Sequence, residues 1–386
     1  MKRKNILLNI FLLTLFIFQH VQASPDTPIP NLSPTYAYLD HVWLYVLKLN
    51  ADGTKVFPDA LCFVGDTDTG CAELNYSFPS MNNPVYIDIE SAYLPNVLPR
   101  EMDVQNNDPT LIALQSQAIA ARTYATWTAL NKSYPDPFGF GYPNQINNST
   151  DYQFYSPDAY DHYLNPNDPN GVKQMISTAI TTTSGIHLTT NGVAIDSEFG
   201  SDIDTESEDE PSKDYLDIVQ DPISTTCGAV TNYSGWGMSQ KGALRWSKGN
   251  QCATGGDTSN KWPVTWTDYR QILVHYYTGI DILNASGGKI APDDRWNLLW
   301  HDNFGSPIGS PLVLTSEGQY NISLILQNTS TSKWNGANIE IGYHWGDQVW
   351  HIAPNNLLPN SYPKGKETET FIVQIVAPST NGIHTL

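Results

Sequence analysis

Basic residues are scarce in this chain. Twenty Lys and Arg stand against 39 Asp and Glu, a formal net charge of −19, and the balance falls to −22 once Lys2, Arg3 and Lys4 leave with an N-terminal leader. So acidic a chain repels phosphate backbones and anionic lipid, which excludes nucleic acid as a partner. Long apolar runs are missing as well. Ile6 to Phe18, interrupted by Asn9, is shorter than the ~20 residues a membrane span takes, and no other segment approaches that length. The basic start, this apolar run and the small-residue end Val21-Gln22-Ala23 predict a signal peptide over 1–23, hence secretion; an uncleaved anchor is the alternative. Metal-ligand spacings are absent: no CxxC, HxxxH or HExxH occurs, so neither metal nor cofactor is expected. Cysteine is limited to Cys62, Cys71, Cys227 and Cys252. An even number in an exported chain implies two disulfides, and proximity favours Cys62 with Cys71 and Cys227 with Cys252 among three connectivities.

Aromatic residues, by contrast, are plentiful: 11 Trp, 21 Tyr and 12 Phe. Beyond those the core needs, such rings are faces on which sugars stack. The acidic run Asp202 to Glu210 reads as a solvated loop.

One helix dominates the pattern. Asp108 suits an N-cap and Pro109 a first helical position, and the next stop is Asn131 to Pro135. Leu111, Leu114, Ala118, Ala121 and Ala125 recur at helical spacing, and a face so rich in alanine brings a neighbouring element unusually close. Arg122 lies beside that face and needs carboxylate or carbonyl partners, either as a tie between two segments or as a contact to substrate. Upstream, Val97 to Met102 reads as a Pro-flanked loop carrying Glu101.

Elsewhere the chain alternates strands and helices. Residues 24–35 form a Pro-rich leader, Val42 to Leu49 and Val85 to Ile89 read as strands, and 131–168 as a long surface loop with tyrosines available to ligand. A helix over Gly171 to Thr182 closes near Gly185, and Asn191-Gly192 marks a hairpin. Further helices start at Ser239, as N-cap, and at Thr267, ending before Gly249 and Gly279. The fold class is therefore α+β over 36–290. After a linker at 291–318, short alternating strands over 319–386 predict a small all-β sandwich that stops before its last strand.

Four motifs occur in order: V-x-P-x-E-M around Glu101, A-L-x-x-Q-A-x-A-A-R-T-Y from Ala113 to Tyr124, G-x-G-M-S-Q-x-G-A from Gly235 to Ala243, and I-L-x-H-Y-Y-x-G from Ile272 to Gly279. Together they resemble the SpoIID/LytB family of bacterial cell-wall proteins over roughly residues 36–283. Residues 319–386 resemble an Ig-like accessory module. The resemblance implies a SpoIID-like mixed helix and hairpin domain that acts on peptidoglycan glycan strands. It implies a lytic transglycosylase that cleaves MurNAc-GlcNAc bonds without water, with Glu101 as acid and then base. Gln117, Arg122, Tyr124, Ser239 and Gln240 are the substrate-binding candidates it brings. Its second implication is a noncatalytic amidase enhancer, whose partner would be an N-acetylmuramoyl-L-alanine amidase. Some members carry zinc on a Cys/His cluster after the first helix, but residues 125–160 here hold neither residue type. Two positions depart from the pattern. Ser234 stands where a histidine is usual, and Ser197-Glu198-Phe199-Gly200 where many members have a Ser-Gly-Gly turn.

For such an acid to be proton-bearing near neutral pH it must be buried against apolar or aromatic groups, which raises its pKa above the usual ~4.3.

Overall fold

The computed structural model describes residues 5–8, 17–18, 38–50, 53–56, 60–63, 71, 83–104, 108–132, 134–135, 141–157, 159–163, 171–203, 205–224, 235–252, 260–304, 308, 312–346, 349–380 and 386. Helices and small sheets alternate to about residue 290, and antiparallel strands follow.

The first sheet sets β1 (His41–Tyr45) between β2 (Val85–Asp88), antiparallel, and β3 (Gln145–Asn147), parallel. β3 falls in the stretch expected to be surface loop. Asn148, which follows it, enters the interior because its amide replaces a backbone partner, donating to the Leu47 carbonyl (3.2 Å) and accepting from the Leu47 N–H (2.8 Å). Tyr134 and Tyr155 of this region are core residues.

One π turn (Ile89–Tyr93) leads into α1 (Leu94–Glu101), where a Pro-flanked loop was expected. Pro95 sits in the first turn, where an N–H would lack a partner anyway, so helix is compatible with it.

α2 (Leu111–Asn131) is the axis of the molecule. Its N-cap is Thr110, whose hydroxyl accepts from the Ala113 N–H, and not Asp108. Sixteen of its twenty-one residues are buried, so it is enclosed on every side rather than amphipathic. The small alanines allow α1, α3 (Val172–Thr182), α4 (Gln240–Lys248) and α5 (Tyr269–Tyr276) all to pack on it. Asn191 and Gly192 both have positive φ, 50° and 77°, and turn β4 (His187–Thr190) into β5 (Val193–Ala194); β6 (Asp281–Leu283) flanks β4.

The C-terminal unit has two antiparallel sheets. One orders β7 (Trp296–His301), β8 (Gln319–Asn328) and β11 (Phe371–Val376), the other pairs β9 (Glu340–Trp345) with β10 (Val349–Leu357). Trp345 Nε1 donates to the Val376 carbonyl (2.7 Å), joining the sheets. β7 lies inside the expected linker, because its apolar residues Leu298 and Leu299 belong to the core. The unit is welded to the helices: Asn297 donates to the Gln271 carbonyl (2.7 Å), and His275 Nδ1 lies 2.7 Å from Gln327 Oε1. Asn5–Leu8 and Ile17–Phe18 pair with Leu312–Thr315 and Glu340–Ile341. Among the described residues no helix is long and apolar enough to cross a membrane.

Cys62 and Cys71 are disulfide-bonded. Cys252 is also in a disulfide, and its expected partner, Cys227, lies outside the described residues.

Candidate active site

Glu101 ends α1, and the elements around α2 converge on it. Its Oε1 accepts the Phe154 N–H at 2.6 Å, and its Oε2 accepts from Gln240 Nε2, the first residue of α4, at 3.2 Å. The residue keeps some exposure while its carboxyl is desolvated. Burial pushes the carboxyl pKa above its ordinary value, and the two donated hydrogen bonds pull weakly the other way. Tyr93 and Tyr124 are close enough for the Glu101 charge to oppose their own ionisation, burial being the larger cause for each. Tyr93 stacks on Tyr155 with centroids 5.5 Å apart, and the Arg100 guanidinium lies over the Phe154 ring at 4.3 Å. The acid thus sits among aromatic rings with one edge open.

Tyr124 also feels Asp196 and Glu198. Lys213 Nζ bridges those two carboxylates, at 2.8 and 2.9 Å. Glu198 is therefore a neutralised second acid, unlike the solitary Glu101. The backbone of this segment is pinned from three sides. Ser197 Oγ donates to the Ala120 carbonyl (2.8 Å), Tyr277 Oη to the Glu198 carbonyl (2.9 Å), and the Met238 N–H to that same carbonyl (3.1 Å). Gly237, at φ +71°, has to be glycine, since a Cβ there would lie 2.0 Å from the Glu198 oxygen. The exposed Trp236 stands on the same turn.

Residues 80–189 match the family model SpoIID, described as stage II sporulation protein. The chain carries a SpoIID domain. The match relates it to sporulation and the cell wall. No curated protein matches the chain. Glu101, Gln117, Arg122 and Tyr124 lie within the matched SpoIID segment, whereas Ser239 and Gln240 lie beyond it and reach it through the fold.

Of the six site candidates, the structure joins Gln240 directly to Glu101 and sets Tyr124 within its field. Gln117 is fully buried, and neither amide atom has a hydrogen-bond partner. Ser239 is the N-cap of α4: its hydroxyl accepts from the N–H groups of Gly242 (2.8 Å) and Ile203 (3.3 Å). Arg122 is turned inward, its Nε and Nη2 on the Glu90 carboxylate (2.5 and 2.7 Å) and its Nη1 on the Ile186 carbonyl (3.0 Å). That is the geometry of a tie between segments. Among the described residues no group of three or more His, Cys, Asp or Glu is placed to hold a metal ion. Ser234 lies outside the described residues.

Several residues escaped the sequence reading. Glu90 and the Phe154 N–H carry no local signature, since both act on partners more than thirty positions away. Asp202, expected in a solvated loop, is buried in a two-point pairing with Arg245, at 2.6 and 3.0 Å. Lys213 has a signal only in retrospect, as the cation that balances Glu198.

Proposed function

We propose that the chain is a secreted peptidoglycan-active protein, a lytic transglycosylase whose single acid is Glu101. The observation that carries this reading is the desolvated carboxyl of Glu101, held by Phe154 and Gln240 beneath aromatic rings. Protonated, it gives its proton to the glycosidic oxygen as the bond to the leaving sugar breaks. As the carboxylate it then removes the proton of the C6 hydroxyl, whose oxygen closes on C1 to give the anhydro sugar. No second free carboxylate is needed, and Asp196 and Glu198, whose charges also reach Tyr124, are bridged by Lys213. Two donors on the ionised form let Glu101 carry charge between the steps, while burial favours the protonated form that the C6 hydroxyl proton regenerates. Tyr124 and Gln240 would orient the sugar against it.

The enhancer role is the second reading. It is favoured by Glu198, a charged residue in place of a small turn residue, whose field reaches Tyr124 as that of Glu101 does. The two separate in one experiment. Purified protein and Glu101→Gln are incubated with peptidoglycan, with and without stem peptides, and products are read by mass spectrometry. Anhydro-muramyl ends from the wild type, reduced about 10²–10⁴-fold in the variant, are the expected result. Equal yields, or none, refute the mechanism, and release of peptides only on adding an amidase supports the enhancer.

A further inference from the structure

A cavity of about 270 Å³ opens where α5 meets β7, near the lower end of the roughly 300–1,000 Å³ of small-molecule sites. It shares no residue with the Glu101 constellation. One wall is the half-buried ring of Trp296, and its polar lining includes Asp268, Gln271, Asp294 and Arg270. Arg295 also lines it and is only 7% exposed.

The guanidinium of Arg295 is incompletely satisfied. Nε donates to the Thr329 carbonyl (2.8 Å) and Nη2 to the Ile280 carbonyl (2.6 Å), but Nη1 is buried without a partner. The buried Arg122 and Arg245 differ, each holding a carboxylate at two points. An unmet buried donor costs about 1–3 kcal/mol, more when charged, so an acceptor oxygen that reached Nη1 through a small movement of the lining would be favoured. The lining carries two arginines and two aspartates, and Arg270 already grips Asp268, which leaves little net charge for an ionic ligand. A flat ring beside planar donors and acceptors suits a neutral ligand with one apolar face and several hydroxyl or amide groups.

We propose that this junction cavity binds one N-acetylhexosamine residue of a glycan strand, a second contact apart from Glu101. The proposal rests on the peptidoglycan reading above. Trp296 stacks on the pyranose, Asp294 and Gln271 take hydroxyls, and an oxygen of the sugar meets Arg295. Such a site would hold the strand at the junction while another part of it reaches Glu101.

The test uses the chain carrying Glu101→Gln, titrated with chitotriose by calorimetry and by NMR of the tryptophan indole N–H signals. Binding is expected to shift the Trp296 signal. Trp296→Ala should weaken affinity at least tenfold, and Asp294→Ala, a change at an exposed side chain that leaves the core intact, several-fold. Cellotriose, lacking acetamido groups, should bind at least tenfold more weakly. No binding of chitotriose, affinity unchanged in both variants, or equal affinity for cellotriose overturns the proposal. Failure of the catalytic reading would appear separately, as a wild type that yields no anhydro ends while the titration is unaffected.

Discussion

Removing the Glu90 carboxylate is the sharpest test of the role assigned to Arg122. The arginine side chain has no exposure, and that of Glu90 has 22%, so the pair lies mostly out of water. Glu90 receives four donors: Nε and Nη2 of Arg122, the Tyr38 hydroxyl (2.9 Å) and the Gly185 N–H (3.0 Å). In Glu90→Ala the guanidinium would remain buried with the Ile186 carbonyl alone. Stranding one partner of a buried pair costs about 3–5 kcal/mol, and the partial exposure of Glu90 places the expectation near the lower figure. Against a total stability of roughly 5–15 kcal/mol this is a large fraction. Urea unfolding followed by tryptophan fluorescence measures it. The double variant Glu90→Met/Arg122→Met removes both charges and should regain most of the loss, because apolar replacement of an entire buried pair is often neutral or better. A single-variant cost below about 1 kcal/mol, or a double variant as unstable as the single, would refute the structural tie. A sugar-contacting Arg122 predicts the opposite pattern, with stability kept and glycan affinity lost.

Burial raises the folded pKa of Glu101 above its ordinary value of 4.5, so the native state holds its proton to higher pH than the unfolded chain. Relative to Glu101→Gln, wild-type stability should be undiminished below pH 4.5 and fall as pH climbs toward the raised value; parallel melting curves for the two proteins from pH 4 to 8 would contradict this. Gly237→Ala forces a side chain into a +71° φ and against the Glu198 carbonyl, and should cost about 1–3 kcal/mol or more and displace the Glu198 backbone. A thermal shift within error of zero would count against the close approach. Replacing Cys62 and Cys71 by serine opens a loop closed over a sequence separation of 9 and should cost about 2.5 kcal/mol by loop entropy, measurable by denaturant titration; no loss would deny the bridge a stabilising role.

Local chemistry was legible where it acts over a few residues. Ser239 caps α4 and Gly249, at φ +60°, ends it, and the Asn191-Gly192 pair makes its hairpin, because capping and positive φ are decided within one turn of chain. The α+β class follows from the same signals. What stayed hidden depends on distant partners. Pro99 suggests a loop over Val97 to Met102, yet the segment is helical because its apolar residues Leu94, Val97 and Leu98 find a core to enter. Asn148 reads as a loop residue until Leu47 supplies the backbone groups it bonds.

The candidate site shows the same division and suggests why its motifs are spaced as they are. Each motif read in isolation is a turn or a cap. In the fold, Ala120 of the second, the Gly237-Met238 turn of the third and Tyr277 of the fourth all hold the backbone of residues 197 and 198, opposite the Tyr124 face of α2. The first motif and Gln240 then supply the acid and one of its donors. A segment fixed from three separate elements resists small displacements, which keeps Phe199 against the Tyr124 ring, 6.1 Å between centroids, and so steadies one neighbour of Glu101. Gly242 extends the argument into the interior: a Cβ there would lie 2.0 Å from the Tyr276 hydroxyl, which donates to the buried Asp221. The glycine therefore lets the first turn of α4, which carries Gln240, pack directly on a polar core.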